Sequence, residues 1–319
     1  MMNKTSVLMC VDAGGTTTKI NIYDLEGNVL KKSVIGVGSP AITKDLEFTS
    51  LDLEIERLIN ETKAEYVIEN ITMGISGLGV VPDTKKIVKK FTKKYQCKVV
   101  IENDAVIALY SVVAKKPEDI VQNSCHNGIL VLGGTGSAIC GIKDGKTKLV
   151  GGWGQIIGER GSAYAVVHQT CLKMIKKVES KKGLSVLDKT LLSEMGIKKV
   201  TELKSIFYLK TKGEIASFAR IITSLAEEGN KEAIRILQNE AIAITHGVIS
   251  LVNLQKIENG AILGFKGGLF KEDKIIMKWV KNILTYHNYE YNYLVDDNDP
   301  IIGAYYLAKA TYLLGEKNA

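Results

Sequence analysis

Cysteine is scarce in this sequence, and the few cysteines present are widely separated. They stand at Cys10, Cys97, Cys125, Cys140 and Cys171, without a Cys-x-x-Cys pair. That spacing argues against a structural zinc site and against a disulfide framework. Because scattered, unpaired cysteines are typical of proteins in a reducing compartment, we expect a cytoplasmic location.

Long apolar runs are also missing. No stretch approaches the roughly 20 residues that a membrane-spanning helix needs. Met1–Thr5 is not followed by the long apolar core of a signal peptide, since Asp12 interrupts the only apolar run nearby. We therefore expect no membrane partner. The composition, 45% hydrophobic and 24% charged over 319 residues, suits a folded chain of two domains.

Arginine is rare, so lysine carries most of the net charge of +7. The densest lysine cluster, residues 85–94, places its lysines at helical spacing opposite Ile87, Val88, Phe91 and Tyr95. This pattern is typical of a solvated helix face, and a nucleic-acid patch is the less favoured alternative. We expect no nucleic-acid partner.

The feature that stands out is a glycine- and threonine-rich stretch, Asp12–Lys19, between two apolar runs. Such a stretch predicts the tight turn of a β-hairpin. Glycines let the backbone approach a ligand, and successive N–H groups with threonine hydroxyls can surround phosphate oxygens. A carboxylate beside phosphates needs a cation, so Asp12 is the candidate ligand of Mg²⁺. The predicted nucleotide-binding residues here are Asp12, Gly14, Gly15, Thr16, Thr17 and Lys19.

A plain hairpin turn with a capping aspartate is the alternative for this stretch, but the chain repeats it about 120 residues later. Residues 128–145 align with residues 7–27, so that Gly133-Gly134-Thr135 matches Gly14-Gly15-Thr16 and Ser137 matches Thr18. Two such loops in corresponding places indicate a duplicated domain. Each half would supply a phosphate-binding hairpin, with the nucleotide phosphates held between them.

Asp104 follows directly after a predicted strand, residues 97–102, and heads a predicted helix. An aspartate in this position is often only a helix cap. The carboxyl ends of parallel strands, however, are where α/β proteins gather their ligand sites. Asp104 is therefore a candidate functional carboxylate.

The loop of residues 151–162 contains five glycines and one tryptophan. A loop so rich in glycine loses much chain entropy on folding unless it packs around something. We favour a ligand-lining role over a structural turn. A polar seam at Lys115–Asp119 places the domains at residues 1–117, completed by a last helix at about 300–319, and at residues 118–299.

Seven motifs together carry a family resemblance: Asp12-x-Gly-Gly-Thr, Asn103-Asp104-Ala105, Gly134-Thr-Gly-Ser137, Gly152-Trp-Gly154, Gly158–Ala163, Gly267-Gly268 and Asp299-Pro300-x-x-Gly303-Ala304. In this order they resemble the superfamily of actin, sugar kinases and heat-shock ATPases. Within it, the chain is similar to the N-acetylglucosamine kinase family, which also includes the ATPase subunits of benzoyl-CoA reductase. The resemblance implies an α/β fold of two ribonuclease-H-like, actin-like domains with a nucleotide and sugar cleft between them.

The resemblance also implies roles for individual residues. Asp104 would accept the proton of the 6-hydroxyl of an N-acetylhexosamine while ATP, with Mg²⁺, supplies the phosphoryl group. Nucleotide contacts are implied at Thr16, Gly134, Thr135, Gly136, Ala216, Gly267 and Gly268. Sugar contacts are implied at Ser39, Ser76, Asp104, Ser137, Ala138, Gly152, Trp153, Gly154, Glu159 and Ala163. A homodimer is the expected assembly.

The segment Gly158-Glu159-Arg160-Gly161-Ser162 departs from the usual family text, Gly-Asp-Glu-Gly-Ser. A cationic side chain beside the sugar invites an anionic substituent, so we expect Arg160 to contact the lactyl carboxylate of N-acetylmuramic acid. The alternative is an arginine paired with a nearby acid. The hypothesis is therefore a kinase of N-acetylmuramic acid and N-acetylglucosamine from peptidoglycan.

An ATPase that drives electron transfer through a dimer-bridging iron–sulfur cluster is the alternative from a different class. That activity requires cysteines presented at the subunit interface. None of the five cysteines lies in a glycine-rich or paired setting, so this alternative is disfavoured.

Overall fold

The computed structural model describes residues 4–125, 127–272 and 274–316. The strands are β1 Thr5–Ala13, β2 Thr18–Tyr23, β3 Val29–Ile35, β4 Tyr66–Ile75, β5 Lys98–Asn103, β6 Asn127–Gly133, β7 Ser137–Lys143, β8 Lys146–Gly151, β9 Ile262–Lys266 and β10 Asn292–Val295. The helices are α1 Pro40–Thr43, α2 Thr49–Thr62, α3 Thr84–Tyr95, α4 Asp104–Val113, α5 Pro117–Val121, α6 Gly154–Ile157, α7 Ala163–Glu179, α8 Val186–Glu194, α9 Leu203–Leu209, α10 Lys212–Ser217, α11 Ala219–Glu227, α12 Lys231–Gln255, α13 Gly268–Glu272, α14 Lys274–Tyr286 and α15 Ile301–Glu316.

The chain divides into two compact units, residues 1–126 with 298–319 and residues 127–297. The boundaries predicted from the sequence lie at 117/118 and 299/300. The first boundary lies later because α5 packs against α15, which ties the segment after residue 117 to the first unit. Across the described ranges, no helix combines the length and apolar character that crossing a membrane requires.

The first unit is built on a five-stranded sheet with the order β3-β2-β1-β4-β5. Strands β1, β2 and β3 pair antiparallel, whereas β1, β4 and β5 run parallel. The central strand is apolar on both faces, and Val7–Val11 are fully buried. One face packs on α2 and α3 through Ile55 and Phe91. The other face packs on α4 and α15 through Ile107 and Ile301.

The second unit has a five-stranded sheet with the order β10-β9-β6-β7-β8. Taken in reverse, from β8 to β10, this order matches that of the first sheet, with β6 in the place of β1. Strands β6 and β7 again form an antiparallel hairpin, and β6, β9 and β10 again run parallel. The duplication predicted from the two glycine-rich loops is therefore confirmed at the level of topology.

Helices α9, α10 and α11 follow one another closely before the long helix α12. Helix α10 begins at Lys212 because Thr211 and Glu214 form a capping box, in which Thr211 N–H donates to Glu214 Oε2 over 2.8 Å. That signal was present in the sequence as Thr-x-x-Glu.

Helix α15 lies close to α4 at Gly303. A Cβ atom added to Gly303 would stand 1.8 Å from the carbonyl oxygen of Ile107 and 2.7 Å from the backbone nitrogen of Ser111. Because these neighbours are backbone atoms, they cannot rotate away. Helix α15 can therefore pack this closely against α4 only with glycine at position 303.

We predict that Gly303→Ala destabilises the protein by about 3 kcal/mol or more, since overpacking against backbone forces the two helices apart. The measurement is the free energy of unfolding in denaturant. Gly315→Ala on the same helix is the matched control, because its Cβ would meet nothing within 4 Å. The control should be neutral or stabilising by about 0.5–1 kcal/mol. Equal stabilities for the two variants would contradict the packing argument.

Candidate active site

The first glycine-rich loop connects β1 to β2. Asp12 pairs in register with Lys19, and Ala13 with Thr18, so the turn consists of residues 14–17. Gly14 N–H donates to the carbonyl of Thr17 over 2.9 Å, which closes the turn. Residues 15–17 are exposed. This loop has the chemistry of an anion-binding turn.

Lys19 forms an ion pair that the sequence did not indicate. Its Nζ lies 2.6 Å from Oδ2 of Asp299, just before α15. The ammonium group is therefore bound to the first unit's own C-terminal segment.

Asp12 is the residue of this loop whose chemistry suits Mg²⁺. No group of three or more His, Cys, Asp or Glu side chains in the described part of the chain is arranged to hold a metal ion. That is compatible with Mg²⁺ chemistry, since Mg²⁺ is commonly held by one or two carboxylates, water and the phosphates of its substrate. Asp12 is half-buried near the end of β1, two residues before the turn.

The second glycine-rich loop connects β6 to β7 and is one residue shorter. Gly133 pairs with Ser137, as Ala13 pairs with Thr18, and Gly134 N–H donates to the carbonyl of Gly136 over 2.9 Å. The structural counterpart of Gly14 is therefore Gly134. The sequence alignment, which matched Gly14 with Gly133, was wrong by one residue because it assumed loops of equal length.

The turn at Gly267 and Gly268 packs directly on the second loop. Gly267 has φ +115°, and a Cβ atom there would lie 2.5 Å from the carbonyl oxygen of Gly133. Ala163 N–H donates to the carbonyl of Gly134 over 2.9 Å. The structure thus brings together Gly134 and the predicted contacts at Gly267 and Ala163.

Asp104 is the first residue of α4, and the cap of this helix is its neighbour. The side chain of Asn103 accepts from Ala105 N–H over 3.0 Å. Asp104 Oδ1 also accepts from Ala105 N–H, and its carboxyl accepts from the Ser76 hydroxyl. Burial raises the pKa of Asp104, while the hydrogen bonds from Ser76 and Ala105 oppose the rise. Helix capping is thus provided by Asn103, and Asp104 is not needed for it.

The two serines predicted to contact sugar lie on neighbouring loops of the first unit. Ser76 follows β4, and its N–H donates to the carbonyl of Ala13 over 2.9 Å. Gly77 has φ +70°, and a Cβ there would stand 2.7 Å from Ser39 Oγ. Ser39, Ser76, Asp104 and the base of the first glycine-rich loop therefore belong to one cluster.

A cavity of about 180 Å³ lies at the other set of predicted sugar contacts, in the second unit. Ser137, Ala138, Gly152, Trp153 and Arg160 are among its lining residues. The predicted contacts at Gly154, Glu159 and Ala163 do not line it. Trp153 is 71% exposed, so its ring is accessible at the mouth of this cavity. Ala216, a predicted nucleotide contact, is buried in the core within α10.

Glu159 is buried and binds both a loop N–H and a lysine. Its Oε2 accepts from Ser137 N–H over 2.9 Å, and its Oε1 lies 2.5 Å from Nζ of Lys212. Lys212 is not among the site residues predicted from the sequence. The capping box that opens α10 places this lysine at the first helical position and was the available signal.

Arg160 is paired with an acid, which was the alternative interpretation of this residue. Its Nε lies 2.9 Å from Oε1 of Glu240, which is fully buried, and Nη2 donates to the carbonyl of Asn239 over 2.9 Å. Glu240 also accepts from Gly161 N–H over 2.7 Å. The Arg160 side chain remains 48% exposed.

The cysteines are placed unfavourably for the iron–sulfur alternative. Cys10, Cys125, Cys140 and Cys171 are buried, and Cys97 is half-buried. Burial raises the pKa of Cys97 to about 11 and that of Cys171 to about 12. Cluster ligands are thiolates, so thiols of this kind are poor candidates for a cluster at the surface of the protein.

Two sheets of the same strand order, each carrying a glycine-rich hairpin with a candidate anion site, define an α/β protein of the actin-like ATPase class. The fold class predicted from the sequence is confirmed. More narrowly, the chain belongs to the BadF/BadG/BcrA/BcrD ATPase family, whose model matches residues 10–308.

Curated relatives and a solved structure are similar over nearly the whole chain. An N-acetylmuramic acid/N-acetylglucosamine kinase of Clostridium acetobutylicum is 25% identical over 308 residues, covering 94% of this chain and 97% of the relative. An N-acetyl-D-glucosamine kinase of Dictyostelium discoideum is 24% identical over 321 residues, covering 95% and 97%. A Chromobacterium violaceum structure, provisionally assigned as an N-acetylglucosamine kinase, has a TM-score of 0.68 at 17% identity, covering 96% of this chain and 99% of that chain.

We predict that Asp104→Asn stabilises the protein at neutral pH. The folded pKa of Asp104 is raised, so ionisation costs stability as pH rises from the unfolded value of about 3.9 through the folded value. The gain should therefore be largest at pH 7 and shrink as pH falls toward that unfolded value. The gain is measured as the difference in the free energy of unfolding in denaturant between the variant and the wild type, at pH 7 and at pH 5.

The matched control is Asp83→Asn, at an exposed N-cap that accepts from Lys86 N–H over 2.9 Å. Asparagine caps helices as well as aspartate does, so stability should change little. If Asp104→Asn destabilised the protein at pH 7, the fold would favour the ionised carboxyl, contrary to its burial.

Proposed function

We propose that the protein is an ATP-dependent kinase that phosphorylates the 6-hydroxyl of amino sugars, N-acetylmuramic acid and N-acetylglucosamine. The observation that carries this proposal is Asp104, a half-buried carboxyl that accepts from Ser76 next to the first glycine-rich loop. A raised pKa makes a carboxylate a stronger base, which suits the removal of a proton from a hydroxyl.

The two glycine-rich loops support the nucleotide part of the proposal. Phosphoryl transfer depends mainly on positioning and on neutralising the charge of the transferred group. Exposed backbone and hydroxyls at Thr16 and Thr17 would bind phosphate oxygens in the first unit, and Gly134–Gly136 would do so in the second. Bound near Asp12, Mg²⁺ would supply positive charge to the phosphates.

The chemical step then follows from the geometry around Asp104. Its carboxylate would take the proton of the sugar hydroxyl while the hydroxyl oxygen forms a bond to the γ-phosphorus. The bond between that phosphorus and the bridging oxygen of ADP breaks. Ser76, clustered with Asp104, offers a hydroxyl that can bind and orient the sugar, whereas Ser39 is buried beside it.

The names of the relatives support amino sugars as the substrate class, since both curated relatives are kinases of N-acetylated amino sugars. An acidic amino sugar is supported by Arg160. Besides the cavity at Trp153, this residue lines a second cavity of about 260 Å³ together with Lys173, Gln169 and Asn239. Two cations and two amides are suitable partners for a carboxylate.

We predict that Asp104→Asn lowers kcat for amino sugars by about 10²- to 10⁴-fold, because the general base is removed. The KM for ATP should change little, since phosphate binding is assigned to other residues. Coupled ADP release on a panel of amino sugars measures both constants. Asp83→Asn, a capping aspartate of the same unit, should retain full activity. If Asp104→Asn kept more than about a tenth of the wild-type rate, general-base catalysis by Asp104 would be excluded.

The ion pair with Glu240 determines how the role of Arg160 must be tested. Removing Arg160 alone would leave the buried Glu240 carboxylate without its cation, which is itself strongly destabilising. The informative variant is therefore Arg160→Met combined with Glu240→Gln. Glu240→Gln alone, which retains the guanidinium, is the matched control.

For the double variant, we predict that kcat/KM for N-acetylmuramic acid falls by about 10- to 150-fold, the value of a charge-assisted hydrogen bond. N-acetylglucosamine, which has no carboxylate, should lose less than about threefold. Glu240→Gln alone should leave kcat/KM for both sugars nearly unchanged. Equal losses on the two sugars would show that Arg160 only supports the loop.

A further inference from the structure

An ion pair lies directly over the tip of the second glycine-rich loop. A Cβ atom on Gly136 would stand 2.7 Å from Nζ of Lys212 and 2.8 Å from Oε2 of Glu159. The two side chains are themselves joined over 2.5 Å between Nζ and Oε1. The loop assigned to phosphate therefore has both a carboxylate and an ammonium group resting on it.

Glu159 depends on this arrangement because it is 7% exposed. A buried carboxylate is costly unless it is paired and hydrogen-bonded. Ser137 N–H supplies one hydrogen bond over 2.9 Å, and Lys212 supplies the positive charge. In the part of the chain that the structure describes, Lys212 is the cation paired with Glu159.

Through Ser137, the ion pair is connected to the wall of the cavity at Trp153. Ser137 Oγ donates to the carbonyl of Arg160 over 2.8 Å, and both residues line that cavity. The chain of contacts thus runs from Lys212 through Glu159 to Ser137 and Arg160. A shift of the Glu159 carboxylate would move the loop and the cavity wall together.

We propose that Lys212 is a positioning residue, which holds the Glu159 carboxylate against the second loop and thereby fixes the sugar-side cavity. This inference rests on the proposed function, since it concerns how the sugar is held. Lys212 acts through Glu159 and does not itself contact the phosphates. Its loss weakens sugar binding much more than nucleotide binding.

The test uses the full-length protein and its tryptophans, Trp153 and Trp279. In a Trp279→Phe parent, fluorescence reports on Trp153 at the cavity mouth, so sugar binding can be followed without turnover. Lys212→Met and Lys212→Arg are titrated with N-acetylglucosamine and N-acetylmuramic acid, and separately with ATP. Lys210→Met is the matched control, because Lys210 is also half-buried but its Nζ pairs with Oε1 of Glu214, over 3.8 Å, and not with Glu159.

Lys212→Met should raise the Kd and KM for sugar by about tenfold or more, the expected effect of losing a charge-assisted hydrogen bond. The Kd for ATP should change by less than about threefold, Lys212→Arg should restore most of the sugar affinity, and Lys210→Met should resemble the parent. In a Glu159→Gln background, Lys212→Met should add little, since residues acting through one contact are not additive. The thermal unfolding midpoint of each variant checks that it is folded.

Two results with the Lys212→Met variant would overturn the inference. Unchanged sugar affinity in Lys212→Met would show that Glu159 does not need its cation. A weaker ATP affinity that persists in the Glu159→Gln background would show that Lys212 contacts the nucleotide directly. A parent that binds sugar but does not phosphorylate it would contradict the proposed function alone. A parent that binds neither sugar would overturn both the inference and the proposed function.

Discussion

Backbone packing at glycine positions is the constraint on which both units of this protein depend. At Gly267 the chain passes within contact distance of the carbonyl of Gly133, and at Gly303 the last helix meets the carbonyl of Ile107. Backbone atoms cannot move aside as a flexible side chain can, so any Cβ there displaces a whole element. The second glycine-rich loop and the closing helix of the first unit are held in place by these contacts.

Around this framework, three buried or half-buried carboxylates are bound in different ways, and the differences suggest different uses. Glu240 is fully buried and bound by Arg160 and Gly161 N–H, which suits a structural role. Glu159 is bound by a lysine at the edge of a cavity. Asp104 is bound by a hydroxyl and a backbone N–H, and its pKa is raised. The raised pKa of Asp104 suits the general-base role proposed for it.

The duplicated units have diverged at the ends of their parallel strands. In the first unit, Ser76 after β4 donates to Asp104 after β5. In the second unit, Lys266 at the end of β9 forms a buried ion pair with Asp296 after β10. The same topology therefore carries a carboxyl of raised pKa at this position in the first unit and a buried ion pair in the second.

Local sequence was sufficient to predict the features that depend on neighbouring residues. Apolar runs on both sides of a glycine-rich turn predicted the two hairpins, and a strand followed by Asn103-Asp104 predicted a carboxyl at the end of a parallel strand. The capping box at Thr211 could also have been found in this way. These features need no distant partner, because turns, strands and helix starts are determined by nearby residues.

The tertiary structure decided the pairings between distant residues. Arg160 and Glu240 are 80 residues apart, Glu159 and Lys212 are 53 apart, and Lys19 and Asp299 are 280 apart. Each charge had several possible partners in the sequence, and only the packing of separate elements selected one. The same holds for the equivalence of Gly14 and Gly134, since strand register revealed the shorter second loop. The sequence alone determined which residues could take part in chemistry, whereas long-range packing determined which charges were already paired.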